Sequence, residues 1–244
     1  MSPAGFTVVL TLACFVGSTI SGLIGMAGGI FLLTVLVLMG LPLEAAIPLH
    51  AAIQLSSNTT RLIAYREHIR WSALKVFVLV ALPLPILGLQ LVSVLDEQVT
   101  KAIIGAVVLI AAWAPKGGLG ALSERKAFGI AGALSGTLGV VIGATGPIIA
   151  PFLLREGWEN EEIIATKATG QAFIHAQKIV AFGFAGYALS DLAWQLPPLI
   201  VAVIIGTYTG KWLLQFLSKD RFRLVYRVVL SAIALRLISA LFVA

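Results

Sequence analysis

The sequence contains little charge for its length. Of its 244 residues only 11% are Asp, Glu, Lys or Arg, whereas 59% are hydrophobic, and the mean hydropathy is +1.01. Apolar runs long enough to span a bilayer recur along the whole chain. A soluble domain of this size needs a larger share of polar residues. The composition predicts an integral membrane protein whose first apolar run is a retained helix and not a cleaved signal peptide.

Reactive groups are equally scarce. The single cysteine, Cys14, has no partner for an internal disulfide or a thiolate metal site. The sequence offers no Ser-His-Asp grouping and no pair of carboxylates within one predicted pocket. We therefore predict no catalytic residue, no metal and no cofactor, and we do not expect an enzyme.

Carboxylates are missing from the middle of the predicted helices. A carrier of cations, or a proton relay built on acids, would need one there. Only Lys, Arg and His supply charge within the predicted helices, so the sequence predicts an anionic substrate. The acids all fall in predicted loops or at segment ends, at Glu44, Glu67, Asp96, Glu97, Glu124, Glu156, Glu159, Glu161, Glu162, Asp191 and Asp220.

Basic residues give the chain a net charge of +6 and a pI near 9.7. They occur singly and mostly at the ends of apolar runs, where the positive-inside bias of membrane proteins puts them. This distribution indicates a lipid bilayer as the partner and argues against nucleic acid.

Ten helical segments are predicted, five in each half of the chain. We predict an all-α protein with a first transmembrane repeat at 1–114, a cytoplasmic connection at 115–126 and a second repeat at 127–244. Two of the segments, 29–40 and 146–154, are too short to cross a bilayer, which needs about 20 helical residues. The segments are 4–24, 29–40, 44–65, 72–94 and 98–113, then 127–142, 146–154, 160–184, 197–217 and 221–243.

The two halves repeat the same motifs. Ser21-Gly22-x-x-Gly25 returns as Ser135-Gly136-x-x-Gly139. Gln54 returns as Gln171 and Arg61 as Lys178, each 117 residues later. This correspondence predicts an internal duplication of the kind found in secondary transporters.

Loop charges decide the direction of the repeats. If each short segment forms a hairpin with the helix before it, the repeats are inverted; if the two form one broken crossing, they are parallel. Parallel repeats divide the loop Lys and Arg residues evenly, whereas inverted repeats leave only Lys101 outside, which the positive-inside rule favours. We predict inverted repeats in the inner membrane with both termini outside. The cytoplasmic basic residues are then Arg66, Arg70, Lys116, Arg125, Lys126, Arg155, Lys219, Arg221 and Arg223.

Glycine-rich tips precede both short segments. Gly28 and Gly29 begin the first, and Thr145 and Gly146 begin the second. Free N–H groups and the positive end of the helix dipole would point at each tip, which suits an anion near the midplane. Close helix packing through small residues is the alternative.

Polar side chains line one face of segments 44–65 and 160–184. Spacings of 4, 4 and 3 residues place each set on one side of its helix. We predict that they line a transport route, with packing hydrogen bonds as the alternative. The histidines are candidate proton carriers. The two sets are His50, Gln54, Asn58 and Arg61, and Lys167, Gln171, His175 and Lys178.

The chain resembles the TauE/SafE family of sulfite exporters over essentially its whole length. The residues that carry the resemblance are SGLIGMAGGI with LPLEAAIPL, and SGTLGVVIGATGPIIAP with IIATKATG. The usual glycine cluster of that family is denser; here Ala27 interrupts the first copy and Thr145 the second. The resemblance implies transport of sulfite, a sulfonate or a related organosulfur anion across the cytoplasmic membrane.

Together these features predict a secondary transporter that exports a small anion by alternating access. The substrate-binding residues would be Gly28, Gly29, Gln54, Asn58, Thr145, Gly146, Gln171 and His175, and the pathway or coupling residues His50, Arg61, Lys167 and Lys178. The rival hypothesis is an anion channel with a fixed polar pore. Coupling to protons or to the membrane potential, and the oligomeric state, are left open by the sequence.

Overall fold

The computed structural model describes residues 3–41, 43–84, 98–99, 102, 105–106, 109, 113, 122–142, 146–184 and 194–239. Within these residues the fold is all-α, as predicted, and contains no strand. Parts of the predicted segments 72–94, 98–113 and 221–243, Thr145, and much of the 115–126 connection lie outside the described residues. The helices are α1 (Pro3–Ile24), α2 (Gly28–Leu38), α3 (Leu43–Ala64), α4 (Trp71–Ala81), α5 (Glu124–Ile142), α6 (Gly146–Leu153), α7 (Asn160–Phe184), α8 (Leu196–Leu214) and α9 (Lys219–Ile238), with a 3-10 helix at Arg66–His68.

Two of the described helices are long and apolar enough to cross a membrane. They are Gly5–Ile24 within α1 and Leu196–Leu214, with mean hydropathies of 2.0 and 1.3. Both expose large apolar side chains, among them Leu12 on α1 and Trp212 on α8. Such a surface suits lipid, whereas in water it would be a liability for aggregation.

The short helix α2 doubles back along α1. A Cβ atom on Gly17 of α1 would lie 3.3 Å from the Phe31 ring of α2. Leu10 and Cys14 of α1 share a buried cluster with Leu32 and Leu36 of α2. Only three residues separate α1 from α2, and α2 begins with Gly28 against Gly17, well before the end of α1. The two helices therefore form an antiparallel hairpin, one of the two arrangements that the sequence allowed.

Helices α3 and α7 pack against each other at the centre of the described structure. His50, early in α3, contacts His175, late in α7. At the other end of the pair, the Arg70 N–H just beyond α3 donates to the Thr166 Oγ1 early in α7, at 3.0 Å. The two helices, which occupy equivalent places in the predicted duplication, are therefore antiparallel.

Two further large helix–helix contacts each join a helix of the first half of the chain to a helix of the second half. Helix α1 packs on α8, and its counterpart α5 packs on α4. The equivalent glycines of the two SGxxG motifs make both contacts close: a Cβ on Gly22 would lie 2.6 Å from the Thr207 carbonyl oxygen, and one on Gly136 2.9 Å from that of Ala81. These two glycines let helix backbones approach, which is the packing role of small residues in membrane proteins.

Candidate functional site

A small cavity lies where the α1–α2 tip, the start of α6 and the middles of α3 and α7 meet. Its volume is about 30 Å³, room for about two waters. Eight of the predicted site residues line it: Gly29, His50, Gln54, Arg61, Gly146, Lys167, Gln171 and His175. The duplication and the helical spacing therefore predicted residues that the fold does bring together.

Each half of the chain contributes a glycine and a glutamine in the same arrangement. A Cβ atom on Gly29, at the start of α2, would lie 3.2 Å from the Gln54 amide carbon. One on Gly146, at the start of α6, would lie 3.2 Å from the Gln171 Nε2. A larger residue at either position would fill the space beside the amide, so glycine keeps the first helical turn open to the cavity.

Two cations are almost completely buried beside these glutamines. Lys167 is 1% exposed and Arg61 is 2% exposed. The Lys167 ammonium donates to the Gly25 carbonyl oxygen at 2.6 Å and to the Gln171 Oε1 at 3.0 Å. The Gly25 contact crosses from the second half of the chain to the first, and it ties the α1–α2 tip to α7.

Asn58 orients Arg61. The Arg61 Nη2 donates to the Asn58 Oδ1 at 2.6 Å, and the Asn58 Nδ2 donates to the Gln54 carbonyl oxygen at 2.7 Å. The Nε and Nη1 of Arg61 are buried and have no hydrogen-bond partner among the described residues. Donors of this kind are costly to bury unless a ligand accepts from them.

The cavity lining contains no carboxylate among the residues that the structure describes. The ion pairs within the described part of the chain are Arg70–Glu162 at 2.8 Å and Lys219–Glu159 at 2.6 Å, and both lie outside the cavity. No described carboxylate comes within 4.0 Å of Arg61 or Lys167. Buried charges are normally paired, and here the N-terminal ends of α2 and α6 add further positive potential. The cavity therefore has the electrostatics of an anion site.

Two histidines form the opposite wall. The rings of His50 and His175 meet edge to face, with centroids 5.9 Å apart. The His50 Nε2 donates to the Gly29 carbonyl oxygen at 2.9 Å. The His175 Nδ1 is buried and has no partner among the described residues.

The residues that line the cavity form successive layers along the axes of α3 and α7. Because α3 and α7 are antiparallel and four residues of helix rise about 6 Å, His50 and His175 form one layer. Gln54 and Gln171 form the next layer, and Lys167 lies beyond it on the side where Arg61 is found. An anion between the glutamines would have histidines on one side and strong cations on the other.

Four predicted site residues do not line the cavity or cannot be placed. Gly28 packs its α-carbon against α1 and donates its N–H to the Ser21 Oγ at 3.1 Å. Asn58 acts through Arg61, Lys178 is 8% exposed but is not part of the lining, and Thr145 lies outside the described residues. A direct role of these four in binding stays a prediction.

The sequence interpretation missed other lining residues. Ser21 lines the cavity and caps the start of α2, and the SGxxG motif contained the signal for it. Ala27 lines it with a positive φ of 74°. Ile233 reaches the cavity from α9, and nothing in its sequence neighbourhood marks it.

The basic residues Lys211 and Arg236 belong to other surroundings. The Lys211 ammonium donates to the Ala64 carbonyl oxygen at the end of α3 and lies 5.0 Å from the centroid of the Tyr65 ring. Arg236 donates to the Ser239 hydroxyl at 3.2 Å. Neither belongs to the cavity lining.

The described residues form a helical fold with two helices apolar enough to cross a membrane and a buried cationic cavity. The TauE/SafE sulfite exporter family matches residues 10–237, and the chain belongs to this family. Members of the family are membrane transporters of anions, so the predicted class is confirmed. No curated protein and no solved structure matches the chain.

Proposed function

We propose that the protein is a secondary carrier that exports sulfite, a sulfonate or another small organosulfur anion across the inner membrane. The observation that carries the proposal is the pair of buried cations, Arg61 and Lys167, which face the cavity with no described carboxylate beside them. An anion there would accept hydrogen bonds from both cations. The first turns of α2 and α6 would supply backbone N–H groups.

The packing of the helices supports inverted repeats. Helices α3 and α7 are equivalent in the duplication and run antiparallel, and α1 pairs with α8 as α5 pairs with α4. Two inverted halves around one central site can rock against each other and open the site to each side in turn. Under the positive-inside rule, the proposed topology has both termini outside.

The size of the cavity favours a compact anion in the state that the structure describes. Room for about two waters suits a group such as sulfite better than a long organic sulfonate. Sulfite is therefore the first substrate to test, and sulfoacetate is the organic comparison.

Counterflow in proteoliposomes tests the proposal. Vesicles loaded with unlabelled sulfite should accumulate labelled sulfite from outside, and the initial rate should saturate with concentration. Vesicles with Arg61→Met protein should show the background rate of empty liposomes. An uncoupled anion conductance without counterflow would contradict the carrier and establish a channel, and neither activity with any small oxyanion would contradict both.

A further inference from the structure

The histidine layer has a property that anion binding alone does not require. The His175 side chain is 3% exposed, and its Nδ1 lies buried without a partner among the described residues, although the cavity that it lines holds several donors. The neighbouring His50 is fixed, because its Nε2 donates to the Gly29 carbonyl oxygen. His175 is thus the imidazole with a free nitrogen.

The charged or titratable groups around His175 in the described part of the chain are all basic. His50 contacts it from α3, Arg61 of α3 and Lys167 of α7 line the same cavity, and Lys178 lies one helical turn further along α7. The cavity residues of α2, α6 and α9, which are Gly29, Ile30, Gly146 and Ile233, bring no charge. A proton added to His175 would therefore meet repulsion in the empty cavity and attraction once an anion lies beside the glutamines.

We propose that His175 is a proton site that loads together with the anion, so that the carrier binds one anion and one proton as a unit. The inference rests on the proposed function. A proton from bulk water adds to the Nδ1 of His175 and gives an imidazolium, and the same proton leaves from Nδ1 when the anion is released. At an effective dielectric constant of about 20, opposite charges about 6 Å apart favour each other by about a hundredfold in equilibrium constant.

The coupling between the anion and the proton is reciprocal, so it can be measured through the binding of either one. If the anion stabilises the proton, the proton must strengthen anion binding by the same factor. Sulfite affinity should therefore fall as the pH rises through the window in which His175 is protonated only in the bound state, and in that window sulfite binding should take up at most one proton. The same coupling would let a proton gradient drive anion movement.

Proton uptake on sulfite binding tests the inference. Purified full-length protein is titrated with sulfite at several pH values from mildly acidic to alkaline, at each pH in two buffers of different ionisation enthalpy. Because the coupling is about a hundredfold, it acts over a window of about two pH units. Within that window the wild-type protein should take up more protons per sulfite than His175→Gln, by at most one, and His175→Gln should bind sulfite more weakly. The matched control is His68→Gln, which changes an exposed histidine outside the cavity and should keep the full uptake.

The outcomes separate the two proposals. Uptake that is equal in the wild type and in His175→Gln, or sulfite binding by the wild type without uptake, would overturn the histidine assignment and leave the proposed function intact. Absence of sulfite binding by the folded wild type would overturn both. His175→Asn repeats the test should the glutamine variant not fold, which its thermal unfolding in detergent would reveal.

Discussion

At the scale of single residues, Gln54 and Gln171 are the amides around which the two halves of the site are built. Each lies beside the glycine that starts a short helix. A hydrogen bond to a charged group contributes about 1.5–3 kcal/mol. Gln54→Ala and Gln171→Ala should each weaken sulfite binding by about tenfold to a hundredfold.

Thermal stabilisation of the detergent-solubilised protein by sulfite measures this loss. The matched control is Gln215→Ala, which changes an exposed glutamine beyond the end of α8. Unchanged stabilisation in both cavity variants would remove the glutamines from the site.

Lys167 should show opposite effects on binding and on stability. Lys167→Met keeps most of the side-chain length and removes the charge, so sulfite affinity should fall by about 2–5 kcal/mol, the usual cost of truncating a buried charge pair. Without a described carboxylate to compensate it, the buried ammonium is costly in the empty protein. The melting temperature of ligand-free Lys167→Met should therefore equal or exceed that of the wild type.

Calorimetry measures the expected loss of sulfite affinity, and the melting temperature of the ligand-free variant measures the expected equal or higher stability. Lys75→Met, on the exposed face of α4, is the control and should change neither. A variant that melts several degrees lower yet binds sulfite normally would make Lys167 a structural residue.

Ala27 carries local backbone strain at the tip between α1 and α2. Its φ is 74°, a left-handed conformation that costs a residue with a side chain about 1–2 kcal/mol. Ala27→Gly should raise the melting temperature. The converse change, Gly40→Ala, places a side chain at a φ of 81°, with no described atom within 4 Å, and should lower the melting temperature by a similar amount. Equal melting temperatures for all three proteins would show that the tip relaxes.

At the scale of helices, the α1–α8 contact depends on glycine. A Cβ atom on Gly206 would collide with the Phe15 carbonyl oxygen of α1. Gly206→Ala should therefore push the helices apart and cost about 1–3 kcal/mol, as overpacking does elsewhere. Gly183→Ala, where a Cβ has no described atom within 4 Å, should be neutral or stabilising. Equal melting temperatures for the two variants would contradict the close contact.

The sequence predicted the helices better than it predicted how they pack against each other. Apolar periodicity and the repeated motifs predicted most helix bounds within a few residues, as for α7 (Asn160–Phe184), predicted at 160–184. The prediction of one helix over 72–94 was wrong, because α4 ends at Ala81 and residues 82–84 form a turn. The role of single glycines was harder to predict, because a motif does not say which side of a helix meets a neighbour. Gly28 and Gly29 are adjacent, yet the first packs on α1 and the second faces Gln54.

The sequence could predict the site residues that share one helix, but not the contacts between residues of the two halves of the chain. Spacing along α3 and α7 places their polar residues on one face each. The bond from Lys167 to the Gly25 carbonyl joins residues that are 142 apart in sequence, so only the folded chain shows it. The same holds for Ile233, which the packing of α9 brings to the cavity.

At the scale of the whole molecule, the proposed topology puts the two ends of α8 on opposite sides of the membrane. Single cysteines can report this, because native Cys14 is 1% exposed. In intact cells Trp194→Cys should react with an impermeant thiol reagent. Lys219→Cys should react only after permeabilisation. The reverse pattern would invert the molecule and contradict the positive-inside assignment.

The proposed function requires that an oxyanion binds between the starts of α2 and α6, beside Lys167. Selenite, a heavier analogue of sulfite, allows a direct test by anomalous diffraction from crystals of the full-length protein. We expect one selenium peak in the cavity, within hydrogen-bond reach of Lys167 and between Gly29 and Gly146. A peak only at the Arg70–Glu162 or Lys219–Glu159 ends, or none in crystals of protein that selenite stabilises, would contradict it.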